Sequence, residues 1–589
     1  MFAGGSAMLW NHVFRGAVRM WRKILMVVVP IIFLPFLSIS ENAQMWKCAY
    51  VVLIMSLYWI IEPIPLGATS MIPVALLPLL GLMKTEETCD FYMNETNMMF
   101  IGTLTMAIAI EHSNLHQRLA LKTLCVIGAG VRRLVLGLML ISMFLAIWIN
   151  NVAITAMMMP VVDSLVDELL GEKDSEKTGC TEVITEKIPP QCPKEKQNGY
   201  AKVPTSEKEL VAYQDGCCPV EEESTSSEVS DSATERCRKK IRLLLYLSVV
   251  YGANTGAITT ITSAPSNIVF KFVIEDIYKD RAPVDYASWM FFAIPITVLS
   301  TILFYFAVIV MFFWKRPEMD RCCTSGGDII RQNYKALGPI KFHEVAVGSL
   351  FLLLVFLWIF RDPMFAKGWA TYFGVVKPKD ATAAMMVVVL LFVIPAQPTD
   401  IVRSPGLVSW RLVQAKLPWS VILLVGSGFA LAESTRVSGL SQKIGHFLGG
   451  LGHLPPGVLM IVLAIICSVM SEVICNAGLV TILLPIFATL AEDLNINPLL
   501  LMIPATITSN FCFMLPVGTP ANTIAYEHAR LKISDMVLPG FVVKLITMAV
   551  TVIVTYALGG AVFDMFQNPE WVTRNSVHLT EILSNSTIH

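Results

Sequence analysis

The chain has 589 residues, 55% hydrophobic and only 15% charged, with a mean hydropathy of +0.63. So few charges exclude an ordinary soluble globular domain, where about a quarter of residues are charged. A formal net charge of −1 excludes the basic face that a nucleic-acid partner would require.

What remains is an all-α polytopic membrane protein whose first partner is the lipid bilayer, with spans of about twenty apolar residues. Arg15, Arg19, Arg22 and Lys23 precede an apolar run from Ile24 to Ile39. Pro30 and Pro35 interrupt that run and no small-residue cleavage site follows, so it reads as an uncleaved first span with its basic end in the cytosol. Further spans are expected at Cys48 to Ile61 and Leu66 to Met83. A polar loop with the sequon Asn94-Glu95-Thr96 follows and falls outside by parity. Met98 to Ile110 returns to the cytosol, where Arg118, Lys122, Arg132 and Arg133 flank an interfacial helix; His112 and His116 read as solvated residues at its start.

From Leu134 to Leu169 the chain is apolar on both sides of Asn150 and Asn151, too long for one crossing and broken in the middle. A re-entrant hairpin entering from the cytosol fits this pattern. Gly171 to Glu235 is rich in Ser, Thr, Glu and Lys and cannot bury a core, which predicts a disordered cytosolic insert. Cys180, Cys192, Cys217, Cys218 and Cys237 lie in a polar stretch without His, so they read as reduced thiols rather than a zinc site. Arg236, Arg238, Lys239, Lys240 and Arg242 mark the cytosolic entry of a span that runs through Gly252 and Gly256 and breaks around Ser263 to Asn267. Phe291 to Trp314 then crosses to Lys315 and Arg316.

The second half crosses at Val345 to Phe360 and Ala381 to Ile394, meets Arg403, Arg411 and Lys416 in the cytosol, and crosses again at Trp419 to Ala432. A second hairpin, Val458 to Leu490 around Cys475 and Asn476, enters from outside. A broken span through Gly518 to Asn522 returns, Arg530 and Lys532 follow in the cytosol, and Phe541 to Val562 exits. The expectation is about 11 transmembrane helices plus two re-entrant hairpins, with a cytosolic N-terminus and an extracellular C-terminus. Asn94 and Asn585 head sequons on the outer side, which favours glycosylation there and a plasma-membrane location. The outer loop from Arg361 to Asp380 is anomalous, because Arg361, Lys367, Lys377 and Lys379 lie where basic residues are disfavoured.

The two halves echo one another. Asn151 is followed by Pro160 and Asn476 by Pro485 at the same spacing; Ser263-Ala264-Pro265-Ser266-Asn267 trails the first copy and Gly518-Thr519-Pro520-Ala521-Asn522 the second. An amide left unpaired in hydrocarbon is costly and Pro removes a backbone donor, so such residues belong where helices break around a polar cavity. One Asn could merely join two helices. Four breaks in matched order, in halves of opposite topology, instead mark inverted repeats and a secondary transporter's binding site near the bilayer midplane. Helix N-termini at such breaks favour an anion. Asn151 and Asn476 can donate to carboxylate oxygens, with Thr519 and Asn522 adding polar contacts. No nucleophile, base and oxyanion set is visible, so an enzyme is not expected.

With these stretches, Glu62-Pro63-Ile64-Pro65, Glu111 with Asn114-Leu115-His116, Trp148, Ser471-Glu472 and Met514 to Asn522 together resemble the divalent anion:sodium symporter family of di- and tricarboxylate transporters. Among animal members the pattern is most similar to the insect I'm Not Dead Yet proteins. The resemblance implies a homodimer, each subunit with a fixed scaffold and a moving transport domain that works as an elevator. It divides the chain into scaffold and interfacial helices (1–133), first hairpin (134–170), disordered insert (171–240), broken helix (241–290), scaffold and connecting helices (291–454), second hairpin (455–493), broken helix (494–540) and last span with tail (541–589).

The resemblance also implies a substrate site at Asn150, Asn151, Val152, Cys475, Asn476, Ala477, Thr519, Pro520, Asn522 and Asn267. Sodium is the one coupling ion implied, at Asn150, Asn151, Ser471 and Asn476, and no other cofactor. In the family each hairpin tip carries Ser-Asn-Thr; here the tips are Asn150-Asn151-Val152 and Cys475-Asn476-Ala477. Sodium prefers hard oxygen ligands, and the Cys475 thiol is a soft replacement for a hydroxyl. Two readings therefore stay open: ion sites rebuilt on Asn150 and Ser471, or sodium-independent carriage and anion exchange. A sulfate carrier of the same family and a non-transporting receptor or scaffold are the alternatives. Glu472, with Glu62 and Glu433, is expected to be structural, accepting backbone hydrogen bonds rather than carrying a proton.

Overall fold

Apolar runs punctuated by Pro, Gly and Asn become helices interrupted at those residues. The computed structural model describes residues 23–568 and 571, except 62, 129, 171–224, 279–281, 314–325, 362–366, 374–376, 400–403, 449, 451–452 and 530–531. Asn585 and the Cys residues at 180, 192, 217 and 218 lie outside the described residues. Among those described there is no strand, only an isolated bridge between Pro395 and Gly406.

The helices that position the site are, in chain order, α1 (Ala43–Ile61), α2 (Glu95–His112), α3 (Leu115–Ile127), α4 (Val131–Ala146), α5 (Asn151–Leu170), α6 (Thr225–Gly256), α7 (Pro265–Tyr278), α8 (Tyr286–Phe313), α9 (Phe342–Ile359), α10 (Asp380–Val393), α11 (Trp419–Val437), α12 (Leu440–Leu448), α13 (Pro456–Met470), α14 (Asn476–Asp493), α15 (Pro498–Ser509), α16 (Pro520–His528) and α17 (Ile533–Phe563). The order α4 to α8 is repeated by α13 to α17: a two-helix hairpin, a helix broken in the middle, then one long helix. The repeat expected from the four echoes is present as architecture.

Five described helices are long and apolar enough to cross a membrane: α8, α9, α11, α14 and α17. Other expected crossings are divided by breaks. The run from Leu66 is two short helices, Leu66–Thr69 and Ile72–Leu79, because Pro73 cannot continue a helix from the preceding turn and instead sits at the start of the second one. Phe291, Val298, Ile302, Phe306 and Val310 stand exposed on α8, and Leu352 and Phe356 on α9. Apolar surface of that extent suits lipid rather than water.

The insert needs correction at its C-terminal end. Helix α6 begins at Thr225, inside the stretch expected to be disordered. The stretch from Thr225 to Lys240 contains no Pro or Gly that would interrupt a helix.

Two further expectations change. His116 is not solvated: it is buried, its Nδ1 lies 3.4 Å from the Ile110 carbonyl, and burial lowers its pKa from the ordinary histidine value. Arg118 is also buried, because its Nε meets Glu344 Oε2 at 2.5 Å and its guanidinium donates to the carbonyls of Leu337, Gly338 and Pro339. Together these clamp α3 to the start of α9. The anomalous Arg361 has a similar explanation, since its Nε lies 3.1 Å from the buried carboxylate of Asp380.

Packing around the first hairpin depends on two glycines. A Cβ on Gly252 would come within 2.4 Å of the Met139 carbonyl oxygen, and one on Gly256 within 2.2 Å of that of Met143. Helix α6 therefore lies directly on the backbone of α4, a small-xxx-small contact of the kind that joins membrane helices.

Candidate functional site

Each hairpin turns at its paired residues. Helix α4 stops at Ala146 and α5 starts at Asn151; α13 stops at Met470 and α14 starts at Asn476. At the first tip the side-chain oxygens of Asn150 and Asn151 both accept from the Val152 backbone N–H, at 2.9 and 3.0 Å. Asn150 thus acts as an N-cap, satisfying a donor that a helix start leaves open. At the second tip Cys475 occupies the cap position and makes no side-chain cap bond. The two tips begin helices of the same kind with unequal caps.

The two breaks are built alike. Asn267 Nδ2 donates to the carbonyls of Ala257 (3.1 Å) and Thr260 (2.8 Å), while its Oδ1 accepts from Asn510 Nδ2 at 3.1 Å. Asn522 Nδ2 donates to the carbonyls of Cys512 (3.0 Å) and Leu515 (2.9 Å), while its Oδ1 accepts from Asn254 Nδ2 at 3.1 Å. Carbonyls freed by unwinding must find donors in the membrane interior, and these amides supply them. Both are fully buried and hold the breaks in shape.

The tips and breaks meet at a cavity of about 330 Å³. Asn150, Asn151, Val152, Cys475, Asn476, Ala477, Thr519 and Pro520 all line it. Asn267 and Asn522 do not; they stand behind the wall. The N-termini of α5, α7, α14 and α16 face the cavity through Asn151, Pro265, Asn476 and Pro520, so four sets of helix-start donors and dipoles converge on one space. That arrangement favours a small anion. Trp148, beside the first tip, packs edge-on against Phe351 of α9 with ring centroids 5.6 Å apart.

Asn254 and Asn510, which the sequence reading passed over, connect the halves. Asn151 Nδ2 donates to Asn254 Oδ1 at 2.8 Å, and Asn254 Nδ2 reaches Asn522 Oδ1 and the Cys512 carbonyl. Asn510 donates to Asn267 Oδ1 and accepts from Ser266 Oγ at 2.6 Å. A signal existed: each lies within two residues of the end of the helix segment before a break, Asn254 inside α6 and Asn510 just past α15.

The residues expected around sodium divide by half. At the first tip the Asn150 and Asn151 oxygens are close together, both bonded to Val152. At the second, Ser471 Oγ donates to the Ser468 carbonyl and is fully buried away from the cavity. The Cys512 thiol lies 2.9 Å from the Ser471 carbonyl oxygen and 3.1 Å from Asn476 Oδ1. Two oxygens that could serve a cation there converge on a thiol instead.

Glu472 holds the second break together, in the role foreseen for it. Its carboxylate accepts from the backbone N–H groups of Phe513, Met514 and Leu515 at 3.0 to 3.4 Å. Lys544 of α17 donates to Glu472 Oε1 at 2.7 Å and also to the Ser468 carbonyl. A lysine within the apolar run from Phe541 was a readable sign of such a partner. Glu433 pairs with Arg436 on its own helix, and Glu62 lies outside the described residues.

Asn94 caps α2, its Oδ1 accepting from the Asn97 N–H at 2.9 Å, while its Nδ2 is buried without a hydrogen-bond partner. A glycan on that nitrogen would require it to become exposed.

The chain is similar to several known proteins. The family model described as the sodium:sulfate symporter transmembrane region matches residues 17–564. Na(+)/dicarboxylate cotransporter 3 of Rattus norvegicus is 31% identical over 597 residues, covering 97% of this chain and 98% of the relative. The Na(+)/citrate cotransporter of Rattus norvegicus is 32% identical over 585 residues, covering 94% and 97%. Among solved structures, the Alcanivorax borkumensis YdaH transporter matches with a TM-score of 0.48 and 12% identity, over 87% of this chain and 99% of that one.

Proposed function

The chain belongs to the sodium:sulfate symporter transmembrane family, and from that premise we propose that it carries di- and tricarboxylates such as citrate and succinate across the plasma membrane. The observation that carries this reading is the convergence of both hairpin tips and both helix breaks on one cavity. The curated relatives are named as dicarboxylate and citrate cotransporters. A cavity of about 330 Å³ is at the small end of ligand pockets, the scale of a short polycarboxylate. Asn151 and Asn476 present amide groups at its wall, and four helix starts supply neutral donors. Binding without a full charge at the tips lets the cargo leave.

In this reading the protein works as a homodimer, with α4 to α7 and α13 to α16 moving as a transport domain against the other helices. The N-terminus is cytosolic and the C-terminus extracellular. Sodium is the coupling ion, for which the names of the relatives speak, and the Asn150 and Asn151 oxygens are its nearest ligands at the first tip. A second reading, sodium-independent exchange, has one observation in its favour: the Cys512 thiol occupies the oxygens that a second ion would use.

The test is uptake of labelled citrate and succinate into cells expressing the chain, with external sodium present and then replaced by choline. Uptake that needs sodium supports symport, and uptake indifferent to the exchange supports the second reading. Asn151→Ala and Asn476→Ala are expected to abolish uptake at unchanged surface abundance; normal transport by both variants would overturn the site. Competition by sulfate that outstrips both carboxylates would move the substrate to the family's other anion class. Absence of any uptake would favour a non-transporting receptor or scaffold.

A further inference from the structure

Outside the hairpins and breaks, the cavity wall is completed by residues from α2, from the Leu66 helix, from α11 and from the segment leading into it. Most are apolar. Two are charged: Glu111, at the end of α2, and Lys416, at the end of the short helix Trp410–Lys416. Lys416 is the one cationic side chain among the described residues lining the cavity. Its Nζ lies 2.5 Å from Glu111 Oε1, and the two side chains are 41% and 33% exposed.

That exposure decides what the pair can do. A buried ion pair resists opening, because separating it strands a charge in a dry place. A pair still in contact with water contributes little and is readily exchanged. An ammonium has three donors and can hold Glu111 and a second carboxylate together. The opposite wall chemistry, four helix starts and the amides of Asn150, Asn151, Asn476 and Asn510, offers only partial charges. A trianion seated there keeps negative charge that a full positive charge would balance.

We propose that Lys416 forms a specificity-determining cationic subsite, which takes one carboxylate of the bound polyanion while Glu111 holds it in place in the empty site and competes with the cargo. The subsite adds more for a tricarboxylate than for a dicarboxylate, since two carboxylates can be accommodated at the tips alone. Glu111 sets the balance: as a carboxylate facing the same cavity, it weakens binding of any anion and lets the site empty. This inference rests on the polycarboxylate reading above.

The experiment is binding of citrate and of succinate to the purified full chain by titration calorimetry, for wild type, Lys416→Gln, Lys416→Arg and Glu111→Gln. Thermal melting of each variant checks folding. Lys416→Gln is expected to weaken citrate by roughly tenfold or more and succinate by no more than about threefold, against a tenfold step that corresponds to about 1.4 kcal/mol. Lys416→Arg keeps most citrate affinity, and Glu111→Gln tightens both anions. Equal losses for the two anions in Lys416→Gln, or a loss in Glu111→Gln matching that in Lys416→Gln, would overturn the proposal and leave a merely structural pair. Wild-type affinity for both anions in Lys416→Gln would overturn it while sparing the transport reading. A wild-type chain that binds neither anion would overturn both.

Discussion

Asn267 and Asn522 perform one task twice: each donates both hydrogens of its side-chain amide to carbonyls ten and seven residues earlier in its own broken segment. Each then accepts from an asparagine of the other half, Asn510 or Asn254. The two breaks therefore support one another across the molecule.

Replacing either residue by Ala removes three buried hydrogen bonds, although Ser263 Oγ still reaches the Ala257 and Thr260 carbonyls and Asn254 Nδ2 still donates to that of Cys512. Each hydrogen bond lost contributes about 0.5 to 1.5 kcal/mol net. Asn267→Ala and Asn522→Ala are expected to lower thermal stability in detergent by several degrees and to reduce the amount of folded protein, beyond any effect on substrate affinity. Melting curves in saturating citrate distinguish the cases, because ligand cannot restore the lost pins. A variant with a wild-type melting temperature would mean the breaks are held by other contacts.

Glu472 and Lys544 make the second break dependent on charge. Both side chains are buried, and removing one partner from such a pair costs about 3 to 5 kcal/mol because the other is left uncompensated. Lys544→Met is expected to abolish folded protein or to lower its melting temperature more than Asn267→Ala does. Glu472→Gln retains part of the backbone cage and is expected to fall between. Little effect of Lys544→Met at neutral pH would show that the three backbone donors alone suffice for Glu472.

The contact between α6 and α4 has no room for a side chain at Gly256, where a Cβ meets the Met143 carbonyl oxygen at 2.2 Å. Overpacking of this kind typically costs about 1 to 3 kcal/mol. Gly256→Val is expected to separate the first hairpin from its broken helix, lowering both stability and uptake, whereas Val at Gly450, which has open space around it, is expected to change neither. Folded-protein yield and citrate uptake measured side by side check the contrast.

Several features were determined by the sequence alone. Hydropathy defined an all-helical membrane chain, since hydrocarbon accepts little else. The matched placing of Asn151 and Asn476, with Pro160 and Pro485 beyond them, located both hairpin tips to the residue, because an amide in an apolar run needs a polar cavity. The family resemblance rested on those same stretches. Glu472 was foreseen as a hydrogen-bond acceptor, and eight of the proposed site residues line one cavity.

Only the tertiary structure could separate residues that face the cargo from those that hold the frame. Asn267 and Asn522 resemble Asn151 and Asn476 in sequence, yet they are turned inward. Which way an amide points depends on the carbonyls that the unwound backbone leaves open nearby, and no local pattern encodes that. Lys416 appeared as a marker of the cytosolic side and proved to be part of the cavity wall, since its place there depends on how α2 and α11 pack. His116 and Arg118 were expected in water and are buried for the same reason: the partners that cover them, from α2 and around the start of α9, are distant or turned back in the chain, and only folding brings them together.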